Sequence, residues 1–345
     1  MELATPSSPH THNNNSVTRV MLRVLYALIP GVALYVYFFG WSIVVNILLG
    51  VITAVAAEAV MLRIRQRPLA PFLTDASALV TGTLLALALP PLVPWWITVF
   101  GVAFAIVVAK HLYGGLGYNP FNPAMVGYVM LLISFPVEMT AWLPPLQLND
   151  QALTFTQTLT AIFTGALPAG INLDTLTMAT PLDALRTQLG LDQTVAEIRK
   201  ANAVFSGLSG IGWEWINAAF LAGGVWLIFK KVINWQIPAG MIGGIGLMAA
   251  IFHFFSPDAY ASPMFHIFGG ATMLGAFFIA TDPVSAATTP LGRIIYGAGI
   301  GILVFTIRTW GGYPDAVAFA VLLMNMVVPT IDYYSQPRVV GHRQD

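Results

Sequence analysis

Cysteine is absent from all 345 positions. Disulfides, Cys-ligated zinc and Cys-ligated iron–sulfur clusters are therefore excluded from this chain. Charge is scarce too. Only 9% of residues are charged, and 15 Lys and Arg balance 15 Asp and Glu. A soluble chain of this length carries far more charge, and a net charge of zero points to neither nucleic acid nor an acidic partner. Redox chemistry here would need an organic cofactor, haem or quinone. What fills the chain instead is apolar: 57% of residues, with a mean hydropathy of +0.75. The expected class is an all-α polytopic membrane protein. Residues Met1 to Val17 are polar and lack the basic and apolar regions of a signal peptide, so the first span is expected to be retained.

Hydropathy predicts about ten spans, near the lengths a bilayer requires. They run Val20–Phe39, Trp41–Leu62, Ser77–Leu92, Trp95–Ala109, Ala124–Leu143, Trp213–Phe229, Ala239–Phe255, Ile267–Ala280, Arg293–Ile307 and Ala316–Val328. This divides the chain into a tail (1–19), a first half (20–143), a long loop (144–212), a second half (213–328) and a second tail (329–345). With the N-terminus inside, eleven basic residues fall on cytoplasmic segments. Four, Arg186, Arg199, Lys200 and Arg308, fall outside. The bias fits the positive-inside rule. It predicts cytoplasmic termini, lipid around the spans, and a periplasmic 144–212 loop, the only long one and so a candidate for function.

The two halves echo each other. The stretch from Ser77 to Pro91 is similar to that from Gly269 to Pro283, and Phe121-Asn-Pro-Ala124 is similar to Tyr313-Pro-Asp-Ala316, both at a spacing of about 192 residues. Five spans per half give the halves opposite orientations. Inverted repeats with Gly- and Pro-broken helices are a transporter-like architecture with sites near the repeat interface. Shared Gly/Pro composition is the alternative source of the echo.

The most informative polar string is Asp174-Thr-Leu-Thr177-Met178-Ala179-Thr180-Pro181-Leu-Asp183, in the long loop. Thr180 as N-cap, Pro181 at the first helical position and Asp183 three places on read as a helix start. A helix N-terminus also welcomes phosphate, through free N–H groups and the helix dipole. The two readings are compatible, because phosphate oxygens on Thr180 could accept the same N–H bonds.

The form D-x-x-T-x-A-T resembles the flavinylation motif of the Rnf and Na+-translocating NADH:quinone reductase families, with Met178 where glycine is usual. A second stretch, Lys110-His111-Leu-Tyr-Gly114-Gly115-Leu-Gly117-Tyr-Asn119-Pro-Phe121-Asn122-Pro123-Ala124, resembles the G-G-x-G-x-N-x-F-N-P-A signature of Rnf D subunits and the related B subunits of the quinone reductases. The resemblance implies FMN joined by a phosphodiester to Thr180, with Asp174 and Thr177 in the sequence read by a flavin transferase. It further implies a second, non-covalent flavin (riboflavin or FMN) and partner subunits of an Rnf-type complex in a bacterial inner membrane. That complex would link NADH and ferredoxin chemistry to ion movement, the chain being a subunit of the translocase and not catalytic alone. An inverted-repeat transporter or channel without a redox cofactor is the alternative, and a scaffold without its flavin is a third.

Other residues stay open between function and structure. Gly115, Asn119 and Asn122 sit in a stretch that could line a flavin or ion site, or simply form a tight turn between spans. Asp282, in Thr281-Asp282-Pro283, and Asp75 are candidate flavin or cation ligands, or helix-end turn residues. Glu58 is the one acidic residue well inside a span. It reads as a functional intramembrane charge or as a surface pair with Arg65. Ser206–Gly210 is a possible flavin contact or a plain re-entry into the membrane. Interfacial or packing roles are expected for His10, His12, His111, His253, His266 and His342. No metal site is expected.

Overall fold

The structure, a computed structural model, describes residues 16–149, 152–313 and 315–336. His10, His12, His342, Arg338 and Arg343 lie outside these residues. The described residues are helical, with one isolated antiparallel bridge between Phe205 and Gly210. Six helical stretches of 19 to 23 residues are long and apolar enough to cross a membrane: Val17–Phe39, Ser42–Ile64, Leu69–Ala88, Gln236–Phe255, Pro290–Trp310 and Val317–Ser335. Trp95–His111, Pro123–Ser134 and Trp213–Phe229 are shorter apolar helices. The chain is a multi-pass membrane protein.

Local chemistry sets the helix ends. Ser16, Asn122, Thr180 and Thr289 each turn a side-chain oxygen to a backbone N–H of the first turn, and the last three precede a proline, which suits that position. The Ser77–Ala88 helix stops at Leu89 because Pro90 follows; the residue before a proline is driven out of helical geometry. The fifth predicted span, Ala124–Leu143, is cut for the same reason. Its main helix ends at Ser134, and Pro136 starts a separate short turn, Pro136–Thr140. The last helix runs beyond Val328 to Ser335, straight through Pro329.

The predicted span Ile267–Ala280 is interrupted. Pro263–Phe268 is one helical piece; after Gly269 and Gly270 (φ +57°) the chain resumes as Thr272–Leu274 and a π turn, Gly275–Ile279. Non-helical backbone at membrane depth persists only where its polar groups find partners, and here side chains supply them. Asn217 Nδ2 donates to the carbonyls of Phe268 (3.0 Å) and Gly270 (2.9 Å), and its Oδ1 accepts from Met273 N (3.0 Å). Arg308 donates to the carbonyls of His266 (2.8 Å) and Gly269 (3.3 Å), Thr272 Oγ1 reaches both carbonyls, and Asp315 accepts from Ala271 N at 2.9 Å.

Packing between spans uses glycine. A Cβ on Gly223 would sit 2.0 Å from the Ala27 carbonyl oxygen, so Trp213–Phe229 lies directly on Val17–Phe39. Gly240 and Gly244 face Gly297 and Gly301 across the pair Gln236–Phe255 and Pro290–Trp310. Small residues four apart let helix backbones approach where no solvent drives association. In Gly297→Ala the new methyl would lie 2.4 Å from the Ile237 carbonyl oxygen. The expected cost is about 1–3 kcal/mol of overpacking, read as a lower thermal midpoint in detergent. Gly243→Ala, with open space around its Cβ, is the matched control and should leave the midpoint unchanged.

Candidate functional site

The described residues of the 144–212 loop are structured. Short helices Phe155–Thr164, Leu173–Leu176, Pro181–Leu189 and Val195–Ala201 cross it. The last two enclose a small core of Leu182, Leu185, Val195 and Ile198 against Ala261 and Phe265. Thr180 caps the Pro181–Leu189 helix as its sequence predicts, with Oγ1 accepting from Asp183 N at 3.3 Å. Asp174 is exposed in the turn before it, Thr177 ends that turn, and Met178 N donates to the Trp142 carbonyl at 2.9 Å. The string is thus held against Trp142 at one end and against the loop core at the other, by Leu182. Leu182 also lies over the interruption: a Cβ on Gly270 would fall 2.6 Å from Leu182 Cδ1.

Thr180 and Asp183 border a cleft between the two halves, with about 1100 Å³ of empty space including its open mouth. Tyr35, Tyr128, Trp142 and Trp213 contribute aromatic wall, and Gly270, Ala271 and Asp315 contribute polar backbone and a carboxylate. The Trp142 and Trp213 rings meet edge to face at 5.4 Å. A threonine hydroxyl at a helix N-terminus, opening onto an aromatic cleft with a few polar groups, fits a phosphorylated, flat aromatic cofactor. Burial pushes the Asp183 carboxyl above the usual carboxylate range, opposed by Arg186. Glu197, in the next helix, is held below it by the Thr194 backbone and hydroxyl.

A second cavity, with about 620 Å³ of empty space, lies beside the Pro123–Ser134 helix start. It brings together Asn122 and Asp282, with Thr281 and Phe278. Asn122 caps its own helix through Met125 N and donates from Nδ2 to the Ile279 carbonyl at 3.2 Å. Asp282 accepts from the Ser285 hydroxyl at 2.7 Å, so it is a turn-forming residue and a cavity residue at once. Gly115 and Asn119 do not line this cavity. Gly115 is buried at φ +102°, and Asn119 donates to the Phe121 carbonyl while its buried Oδ1 has no partner.

The pairing of Glu58 differs from the expected surface pair. Glu58 is 2% exposed and bonds Lys110 Nζ at 2.7 and 2.9 Å. Lys110 also donates to Ser77, whose hydroxyl donates to Asp75, and His111 Nε2 lies 3.5 Å from Glu58. Arg65 instead donates to the His111 carbonyl. The partner sits 52 residues away, on the π turn that ends Trp95–His111, beyond the reach of a helical-face argument. Asp75 serves as a turn residue, accepting from Ser77 N at 2.7 Å. Ser206–Gly210 packs on the Thr180 helix, since a Cβ on Gly210 would lie 2.1 Å from Pro181 Cγ. His253 bonds the Tyr260 carbonyl.

A profile of the NQR2, RnfD, RnfE family matches residues 4–341. The chain belongs to this family. It is similar to the D subunits of ion-translocating oxidoreductase complexes: 54% identical to that of Aliivibrio salmonicida over 345 residues, 54% to that of Escherichia fergusonii over 346, and 52% to that of Klebsiella pneumoniae over 344. In each comparison 98% of both chains is covered. Family membership was legible from the two motifs. Asn217 and Arg308, which hold the interrupted backbone together, and Asn325, which donates to the Ser285 carbonyl and accepts from Asn122 N, were not singled out as site residues. The signal for them was available as polar residues inside otherwise apolar spans.

Two outcomes follow from these geometries. Glu58→Gln strands a buried ammonium and should cost about 3–5 kcal/mol, whereas Glu58→Leu with Lys110→Met removes both charges and should recover most of that; thermal unfolding in detergent separates the two. For Asp183, a raised carboxyl pKa in the fold means the folded state holds the proton more tightly. Its stabilisation is present below the usual carboxylate range and is lost as pH rises through the raised value. Relative to Asp183→Asn, the unmodified parent should therefore lose stability as pH rises from acid toward neutral.

Proposed function

We propose that this chain is the flavin-carrying membrane subunit of an Rnf-type, ion-translocating electron transport complex, with FMN joined to Thr180. The observation that carries the reading is the position of Thr180: a helix-capping hydroxyl on the border of an aromatic cleft between the halves. The names of the relatives support membership of an ion-translocating oxidoreductase complex, and so partner subunits. Within it the chain would serve NADH:ferredoxin-type oxidoreduction as a subunit.

Attachment needs an exposed acceptor and a readable sequence around it. Asp174 is exposed and Thr177 partly so, available to a separate flavin transferase that takes FMN from FAD. The Thr180 hydroxyl would lose its proton as the new P–O bond forms, and the bond between the two FAD phosphates breaks with AMP leaving. The free N–H groups of the first turn then receive phosphate oxygens in place of Oγ1, and Tyr35, Trp142 and Trp213 would bound the ring. Covalent attachment holds the cofactor at high local concentration in an open cleft. Bound there, FMN supplies electron carriage, and the protein sets its potential by packing and hydrogen bonds.

The second cavity is the site we assign to a non-covalent flavin, with Asn122 and Asp282 as its polar groups. Gly115 and Asn119 shape the adjoining turn and are not assigned contacts with it. We further propose ten crossings in two inverted halves, with cytoplasmic termini in a bacterial inner membrane and Thr180 periplasmic. Supporting this, the stretch Leu69–Ala88, which leads into the third span, breaks at Ala76 (φ 64°) as the eighth span breaks at Gly270 (φ 57°), and the first helix of each half packs on the other through Gly223.

A covalent flavin survives denaturation. Expressed with its transferase and partners, the chain should give a fluorescent band in a denaturing gel under ultraviolet light. Thr180→Val should abolish that band and Thr177→Val should retain it. A dark parent band would overturn the flavin reading in favour of a transporter or scaffold.

A further inference from the structure

The cleft that Thr180 borders contains a carboxylate that the flavinylation motif does not include. Asp315 accepts from Ala271 N at 2.9 Å through Oδ2, and from Arg308 Nη2 at 3.2 Å and Val317 N at 3.4 Å through Oδ1. An ionised carboxylate offers about four acceptor positions. Three are engaged, and the remaining one is on Oδ2. The Asp315 side chain keeps 27% of its surface open, against 1% for Arg308, and Asp315 lines the cleft that Thr180 borders.

Capping alone does not call for this arrangement. The corresponding last helix of the first half, Pro123–Ser134, is capped by neutral Asn122. At the start of Val317–Ser335 there is instead a full negative charge with a buried guanidinium behind it. That guanidinium is fixed by two backbone carbonyls of the interrupted span. The cation holds the carboxylate in place and leaves one of its acceptor positions toward the cleft.

We propose that Asp315 is a direct ligand of the redox group carried on Thr180, and that Arg308 is the residue that positions it. The proposal rests on the flavin reading above. The isoalloxazine ring carries one imide N–H, the donor that an open carboxylate lone pair matches. Asp315 is the cleft-facing, negative end of its pair with the buried Arg308, and that end opposes gain of electrons by a nearby ring in a poorly solvated cleft. Asp315 thus both orients the ring and holds its reduction potential down.

The test is a spectroelectrochemical redox titration of the complex, with the Thr180→Val complex subtracted to isolate the tethered flavin. Asp315→Asn keeps an acceptor oxygen and removes the charge, so the midpoint should move to more positive potential while the fluorescent gel band persists. Asp315→Glu keeps the charge and should stay nearer the parent. A retained band with an unchanged midpoint in Asp315→Asn overturns the proposal. If Asp315→Asn does not assemble, Asp315→Ser, which also removes the charge, carries the test: a midpoint moved to more positive potential supports the proposal, and one equal to the parent overturns it. Loss of the band from the parent itself would strike the flavin reading, a distinguishable failure.

Discussion

Much of this molecule depends on one constraint: the backbone that stops being helical between Phe268 and Ala271 must still satisfy its polar groups. Orphaned amides or carbonyls in apolar surroundings cost several kcal/mol each. The chain meets this with Asn217 from one helix, Arg308 from a second and Asp315 from the start of a third. Those three side chains pin the neighbouring helices to the interruption. The interrupted segment in turn serves both cavities: Gly270, Leu274 and Ile279 line the cleft that Thr180 borders, while Phe277 and Phe278 line the cavity at Asn122 and Asp282. A single break therefore supplies wall to two sites.

The same economy operates at Thr180. Its hydroxyl closes a helix N-terminus in the free chain, through a 3.3 Å bond from Asp183 N. That same N-terminus is chemically suited to phosphate. Leu182, two residues on, covers Gly270 of the interruption. The loop helix is thereby fastened to the membrane domain at the point where the cleft begins, and a side chain at position 270 would push it off.

Where the controlling interactions are local, sequence was enough to find them. The Thr180 cap follows from the order Thr, Pro, x, Asp, and the Trp213–Phe229 helix has the bounds that hydropathy predicts. Non-local chemistry was out of reach. Glu58 and Lys110 meet across 52 residues, and no periodicity on either helix announces the other. Hydropathy averages across a Gly-Gly pair, so the interruption at Gly269 and Gly270 was smoothed into one span. Pro136 was likewise absorbed into an apolar run. Asp315 was visible in the internal echo, but its ion pair with Arg308 depends on how the last two helices meet.

The charge arrangement bears on ion movement. Among the described residues, the buried Glu58 is neutralised by Lys110, and the buried Arg308 by Asp315. Each pair is close to neutral as a unit, and that is the condition under which ionised groups persist in low-dielectric surroundings. Neutral pairs make poor stepping stones for a cation, because displacing either partner leaves an uncompensated charge. A charge added at a cleft between such pairs is nevertheless felt strongly, because low-dielectric surroundings screen it little. On this reasoning the chain is better built to feel a change of charge at a cleft than to conduct ions by itself.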